Sequence, residues 1–430
     1  MDIIINPQRS EWQSLTARNI PADDPQVTDS VARIVADVQS RGDVALREYA
    51  MRFDGARLDS LEISEEEISE AISRVSPDVA DAITSAARNI ESFHRAQLPS
   101  PVEVETVAGV KCVQRAVPIQ RVGLYIPGGR APLFSTVLML AVPARLAGCK
   151  EVILCTPASG THPIAPEIIY AARVAGVGRM YKVGGAQAIA AMAFGTESIG
   201  RVDKIFGPGN RFVTKAKQLV STFTAIDMPA GPSEVMILAD ASARPGFVAA
   251  DMLSQAEHGP DSQAIAVCDS ETLASDIAAE VRRQASRLSR ADSVAGSLSH
   301  SRIIVLPSRE DMTEFANLYA AEHLIISMLN PWDVAARITA AGSVFIGNYS
   351  PESAGDYASG TNHTLPTSAW ARSMSGVNID SYMRKITYQE LTPGGLATLA
   401  PVITTMAAAE GLDAHAAAVT IRLQSGNQAE

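Results

Sequence analysis

Apolar residues return at helical spacing from Pro25 to about Gln97, as in Val31-Ala32-Arg33-Ile34-Val35-Ala36-Asp37-Val38. A second helical segment is predicted where Ile63-Ser64-Glu65-Glu66-Glu67-Ile68 sets a capping serine before acidic first-turn residues. Pro99-Ser100-Pro101 breaks the period, and Val102 to Val117 alternates as a strand or hairpin does. From Val122-Gly123-Leu124-Tyr125-Ile126 to about Gly347, short apolar runs alternate with helical periods. The runs are Glu151 to Cys155, Arg179 to Val183, Asp203 to Phe206, Val235 to Leu238, Ala264 to Val267, Arg302 to Leu306, Leu324 to Ser327 and Ser343 to Ile346. Such alternation predicts parallel strands with helices on both faces. The strands are too many for one sheet, so two doubly wound units are expected, divided near Asp227 to Glu234. After Asn348 the alternation gives way to a Gly/Ser/Thr-rich loop and then to helices. A C-terminal segment too short for its own core is expected to pack on another unit or another subunit.

Composition narrows the class. A chain of 430 residues, 47% hydrophobic, exceeds one core of ordinary size. It has no uncharged apolar run of membrane-spanning length, and Met1-Asp2-Ile3-Ile4-Ile5-Asn6-Pro7 lacks the basic and apolar segments of a signal peptide. The expectation is a soluble, cytoplasmic protein without a membrane partner. A net charge of -11 with scattered basic residues argues against nucleic acid. Cys112, Cys149, Cys155 and Cys268 form no C-x-x-C pair and suit small buried hydrophobes in a reducing compartment.

Four predicted strand ends run into glycine-rich turns. They are Tyr125-Ile126-Pro127-Gly128-Gly129, Val183-Gly184-Gly185-Ala186-Gln187, Phe206-Gly207-Pro208-Gly209-Asn210 and Met228-Pro229-Ala230-Gly231-Pro232-Ser233. At the carboxyl ends of parallel strands backbone N–H groups face anions, so the set points to a nucleotide or phosphate-bearing cofactor. Any one loop reads first as a tight turn, and none is a G-x-G-x-x-G, since Gly207-Pro208-Gly209 continues into Asn210-Arg211-Phe212.

Among the polar clusters, Gln255 and His258 share one helical face before Gly259-Pro260 stops the helix. That spacing suits a metal pair or a solvated helix end, and does not choose between them. Asp356-Tyr357-Ala358-Ser359-Gly360-Thr361-Asn362-His363 and Glu410-Gly411-Leu412-Asp413-Ala414-His415 each carry an acid and an imidazole, as metal loops and as ordinary turns do. Glu322-His323 precedes an apolar strand, where it supplies two proton-handling groups or an outward helix-end pair. His94, His162 and His300 receive no role.

Taken together, the four glycine-rich loops, Ser254-Gln255-Ala256-Glu257-His258-Gly259-Pro260-Asp261-Ser262-Gln263, Glu322-His323-Leu324, and Ser353-Ala354-Gly355-Asp356-Tyr357 through Asn362-His363 resemble the histidinol dehydrogenase family. The resemblance runs from about Pro25 to Leu423 with the motifs in family order. It implies a zinc- and NAD-dependent oxidation of L-histidinol through bound histidinal to L-histidine, using two NAD+, the last two steps of histidine biosynthesis. It implies one zinc per subunit on Gln255, His258, Asp356 and His415, and NAD contacts at Tyr125, Gln187 and Asn210. Substrate would touch Ser233, Gln255, His258, His323, Asp356, His363, Glu410 and His415, with Glu322 and His323 catalytic. It also implies a homodimer in which Glu410 and His415 complete the partner's site. The chain departs from the family pattern at Ala320-Ala321, where Ala-Pro is common, and at Arg130, where a small residue is common.

The expected fold class is α/β, with two doubly wound, incomplete Rossmann-like units, a helical N-terminal segment and a C-terminal helical tail. The expected divisions are an arm over 1–24, a metal and catalytic domain from 25–124 with 234–380, an NAD-side domain over 125–233, and a tail over 381–430 packing on the partner. A sister zinc/NAD-dependent alcohol dehydrogenase acting on a sulfonated diol is the alternative. A zinc hydrolase would not need four glycine-rich strand ends, and a non-catalytic metal scaffold leaves Glu322-His323 unexplained.

Overall fold

A computed structural model of the chain describes residues 1–18, 24–128, 132–160, 163–228, 231–288 and 290–426. Gly129, Arg130, His162, Pro229 and Ala230 lie outside the described residues, as do 19–23 of the N-terminal arm and 427–430 of the tail. Two compact units are formed, Met1–Gln97 with Ile119–Tyr382, and Leu98–Pro118 with Met383–Glu430. In chain order the strands are β1 (Asp2–Ile5), β2 (Val102–Val107), β3 (Val110–Pro118), β4 (Arg121–Tyr125), β5 (Glu151–Cys155), β6 (Arg179–Tyr181) and β7 (Lys204–Phe206). They continue with β8 (Ala225–Ile226), β9 (Glu234–Ala239), β10 (Gln263–Cys268), β11 (Arg302–Val305), β12 (His323–Ser327), β13 (Ser343–Ile346) and β14 (Met383–Leu391).

The first unit is α/β and holds two parallel sheets. One has the order β1-β11-β10-β9-β12-β13 and the other β6-β5-β4-β7-β8. Strands β9 and β10 are buried along their whole length, which is why they read as unbroken apolar runs. Their alternation splits the core in two. Val235, Ile237 and Ala239 pack with Val248, Met252, Leu273 and Ile277 on one face. Met236 and Leu238 pack with Trp12, Met312, Phe315 and Tyr319 on the other. Helices cover the five-stranded sheet as well. Val31, Ile34 and Val38 of the helix Pro25–Arg41 join Tyr125, Ile153, Tyr181 and Ile189 in one cluster. The expected capping box is present, with Ser64 Oγ accepting from the Glu67 N–H (3.2 Å) and Glu67 Oε2 accepting from the Ser64 N–H (2.8 Å).

Two glycine-rich strand ends are locked together at Gly207. Its φ is +122°, and an added Cβ would lie 2.0 Å from the Tyr125 carbonyl oxygen, so only glycine fits. The buried Lys217 ammonium donates to the Gly207 carbonyl (2.9 Å) and pairs with Asp227. Asp227 in turn accepts from the N–H groups of Gly207 (2.8 Å) and Met228 (2.7 Å).

In the second unit β3 pairs antiparallel with both β14 and β2, followed by the helices Pro393–Ala409 and Asp413–Gly426. Strand β14 lies where only loop and helix were expected. Met383-Arg384-Lys385-Ile386-Thr387-Tyr388-Gln389-Glu390-Leu391 is exposed along nearly its whole length, so no buried stripe marks it. Its nine-residue register with β3 holds it instead.

Candidate active site

The helix Arg309–Tyr319 ends on Ala320, whose φ of 54° and ψ of 62° put a non-glycine residue in the left-handed region. That conformation costs about 1–2 kcal/mol and is held by its buried surroundings. It reverses the chain so that Glu322 stands just before β12 and His323 opens that strand between β9 and β13. Glu322 Oε2 accepts the Glu234 N–H (2.9 Å), directly after Ser233. The Glu234 carboxylate is itself gripped from the N-terminal segment by Arg18 Nε (2.7 Å) and Nη2 (3.1 Å).

Among the described residues, both ring nitrogens of His323 are buried without a hydrogen-bond partner. Nδ1 stands 3.7 Å from Glu322 Oε2 and 3.7 Å from Glu352 Oε1, and Nε2 stands 3.7 Å from Asp356 Oδ1. Burial, reinforced by His258 and His363, pushes the imidazole pKa down to about 3, so the ring is a neutral proton acceptor. The acids move the other way. Burial raises Glu322 well above the usual carboxylate range, with Glu234 and Asp356 adding to it. Glu352 is raised in the same manner, by burial first and then by Asp356, Glu322 and Asp251. Burial lifts Asp356 to about 6 and Asp251 to about 7.

Beside this pair lies a cluster suited to a cation. Ligand-capable atoms of His258, Glu352 and Asp356 all lie within 4.8 Å of one another. Gln255 is fully buried on the last turn of the helix Pro245–Ala256, with both side-chain amide atoms unpartnered among the described residues, and its backbone carbonyl accepts the His258 N–H (3.2 Å). Both carboxylate oxygens of Glu352 lack a hydrogen-bond partner among the described residues as well. A mixed nitrogen and oxygen set of this kind suits a borderline divalent ion such as zinc, whose charge would restore ionisation to the buried acids. His363 Nδ1–H donates to the Asp356 carbonyl (3.0 Å), and its Nε2 accepts from Thr136 Oγ1 (3.3 Å).

A second feature of this unit is a cavity of about 940 Å³ whose lining includes Tyr125, Gln187 and Asn210. Tyr125 ends β4, and Gln187 and Asn210 follow β6 and β7, so all three lie at the carboxyl side of parallel strands, where dinucleotides bind in such sheets. The Tyr125 hydroxyl accepts the Gly185 N–H (3.1 Å). Asn210 caps the helix Arg211–Val220, accepting from Phe212 N–H (3.0 Å) and Val213 N–H (3.2 Å). A Cβ at Gly184 would lie 2.4 Å from the Pro157 side chain, so the glycine keeps backbone close to the cavity wall.

The first unit therefore gathers His258, Glu322, His323, Asp356 and His363 at one place, with Gln255 on the helix end leading to His258 and Ser233 at the foot of β9. Glu410 and His415 belong to the second unit, where both are exposed. Glu352 and Asp251 were missed in the sequence. The signal for Glu352 was its i,i+4 spacing from Asp356 after Pro351, which puts both acids on one helical face.

The family model described as "Histidinol dehydrogenase" matches residues 18–423. A relative of that name from Bacteroides fragilis is 54% identical over 425 residues, covering 99% of both chains. One from Salmonella typhimurium is 52% identical, covering 96% of this chain and 94% of its own. The crystal structure of histidinol dehydrogenase from Elizabethkingia anophelis superposes with a TM-score of 0.97 at 50% identity, over 99% of each chain. The chain belongs to the histidinol dehydrogenase family. Its function is that of the family, an oxidoreductase activity in histidine biosynthesis with histidinol as the family's substrate. Near-complete coverage by histidinol dehydrogenases does not favour the sulfonated-diol alternative. Among the described residues, no helix is long and apolar enough to cross a membrane.

Proposed function

We propose that the chain oxidises L-histidinol through bound histidinal to L-histidine, as a cytoplasmic homodimer using one zinc ion per subunit and two NAD+ per turnover. The observation that carries this reading is the buried Glu322/His323 pair set against the His258, Glu352 and Asp356 donors. Gln255, His258 and Asp356 would hold the zinc together with His415 of the partner subunit, and Tyr125, Gln187 and Asn210 would contact NAD. When bound, NAD+ accepts the hydride of each oxidation, and zinc anchors the nitrogen atoms of the substrate.

The chain's own residues handle the protons. Neutral His323 takes the hydroxyl proton of histidinol as the alcohol becomes an aldehyde. Glu322, held by the Glu234 N–H, removes a proton from the water that attacks the aldehyde carbon. The protonated His323 returns its proton to the carbonyl oxygen as water adds, so the ring is neutral again and accepts the hydroxyl proton of the hydrate as the acid forms. Ser233, His363 and Glu410 of the partner subunit would complete the substrate pocket. Glu352, facing His323 Nδ1, would orient the ring so that Nε2 meets the substrate.

The homodimer draws support from the helix Pro393–Ala409, which is largely apolar yet buries only Gly395 and Ala407. Val402 and Met406 are 57% and 58% exposed, an uncovered face of the kind subunit contacts cover.

The function is tested by absorbance of reduced cofactor with L-histidinol, NAD+ and zinc. Two reduced cofactors per histidinol and loss of the signal with a chelator are expected; a yield of one would refute the acid-forming step. Glu352→Gln is expected to weaken zinc retention by roughly 10–100-fold, since its carboxylate is grouped with His258 and Asp356 and adds negative charge beside the ion. Competition with a metal-binding dye reads this directly, and unchanged zinc affinity would remove Glu352 from the site.

A further inference from the structure

The cavity lined by Tyr125, Gln187 and Asn210 holds a carboxylate that the proposed chemistry does not use. Asp54 is the last residue of the helix Asp43–Asp54, which Gly55 closes in the left-handed conformation (φ 63°). Its backbone is fixed, since its carbonyl accepts the Gly160 N–H (3.1 Å). Its half-buried side chain has no hydrogen bond or ion pair among the described residues, and burial raises its pKa. The helix macrodipole disfavours a negative charge at this end. Among the described residues, nothing in the fold rewards a carboxylate here. Among the described residues lining the cavity, Asp54 is the only charged one, with no Lys, Arg or His. Phe53, Ile34 and Phe212 supply apolar walls of the kind a flat base occupies.

A partly desolvated carboxylate offers acceptors only, and a vicinal diol presents two O–H donors to it. A phosphate on that diol would instead set a second anion against the carboxylate, with no described cation in the cavity to neutralise it. We infer that Asp54 receives the 2′- and 3′-hydroxyls of the adenosine ribose, and thereby selects NAD+ against its 2′-phosphorylated form. This assignment rests on the reading that the cavity takes NAD.

Wild-type and Asp54→Asn enzymes, both zinc-loaded, are titrated calorimetrically with NAD+, NADP+ and NAD+ lacking the adenosine 2′-hydroxyl. The wild type is expected to prefer NAD+ to NADP+. The variant is expected to bind NAD+ roughly tenfold more weakly, the value of a hydrogen bond to a charged group, while NADP+ binding holds or improves. The deoxy analogue is expected to bind the wild type roughly tenfold more weakly than NAD+, and to bind the variant no worse than NAD+ does. Equal losses for NAD+ and NADP+, or the same deoxy deficit in both proteins, would overturn the inference. A wild type that binds neither dinucleotide overturns the cavity assignment and this one with it, whereas retained NAD+ binding with unaltered selectivity overturns only Asp54. Asparagine keeps the size and removes no partner among the described residues, so the thermal midpoint is expected to hold. Asp54→Ser, titrated in the same way, gives the same test with a side chain too short to replace the carboxylate.

Discussion

Glu322→Gln is expected to slow oxidation of supplied histidinal by roughly 10²–10⁴-fold, the usual worth of a positioned general base, while the alcohol-to-aldehyde step loses far less. The substitution isolates the proton transfer. Glutamine has nearly the same shape, and its amide oxygen can still accept the Glu234 N–H that holds the carboxylate at 2.9 Å. What disappears is the ability to take a proton from water. Glu322 suits that task because burial raises its pKa, with Glu234 and Asp356 adding, so its ionised form is a stronger base than an exposed carboxylate. His323, by contrast, is held neutral and ready for the first proton transfer. Stopped-flow traces starting from histidinol and from histidinal separate the two steps. Equal losses in both would sink the division of labour between the adjacent residues.

Elements whose setting is local were legible in the sequence. Glu322-His323 announced itself as a charged pair before an apolar strand, and the strand begins at His323, one residue ahead of the expected Leu324. The fully buried β9 and β10 were visible because burial on both faces leaves no polar alternation. Distance in sequence defeated the same reasoning elsewhere. Strand β14 owes its existence to β3, more than 250 residues earlier, and carries no buried stripe of its own. The N-terminal arm hid an edge strand, since Asp2 to Ile5 pairs in parallel with Arg302 to Val305 and is largely exposed. Glu352 escaped notice because Ser353-Ala354-Gly355 reads as loop, masking the helical spacing to Asp356. Leaving His94 without a role agrees with its setting, since Nδ1–H donates to the Ile90 carbonyl (2.8 Å) inside the core. The neighbouring Asn362 donates to the Met139 carbonyl (2.6 Å), which anchors the loop that carries His363. Motif chemistry was readable where one stretch of chain contains it; a site assembled from β9, β12 and two helix ends required the fold.

Mixing inactive His258→Ala with inactive His415→Ala is expected to restore about one quarter of wild-type activity if the tail serves the neighbouring subunit. The arithmetic follows from two-fold symmetry: random exchange makes about half the dimers mixed, and each mixed dimer regains one of its two sites. In that regained site the His415→Ala body supplies an intact His258, and the His258→Ala subunit supplies the intact tail. The opposite site lacks both. A tail that folds back on its own subunit predicts a different result, because every site then carries one lesion whatever the partner. The single variants set the baseline. His258 has its ring beside Asp356 and Glu352, so His258→Ala is expected to lose zinc, read by metal analysis on the purified protein, while NAD binding persists. His415→Ala removes an exposed side chain on the helix Asp413–Gly426, so the fold of its own chain is expected to hold. Subunits are exchanged in mild denaturant and returned to zinc buffer before assay. Activity that stays at the sum of the two inactive parents would place His415 in its own subunit's site.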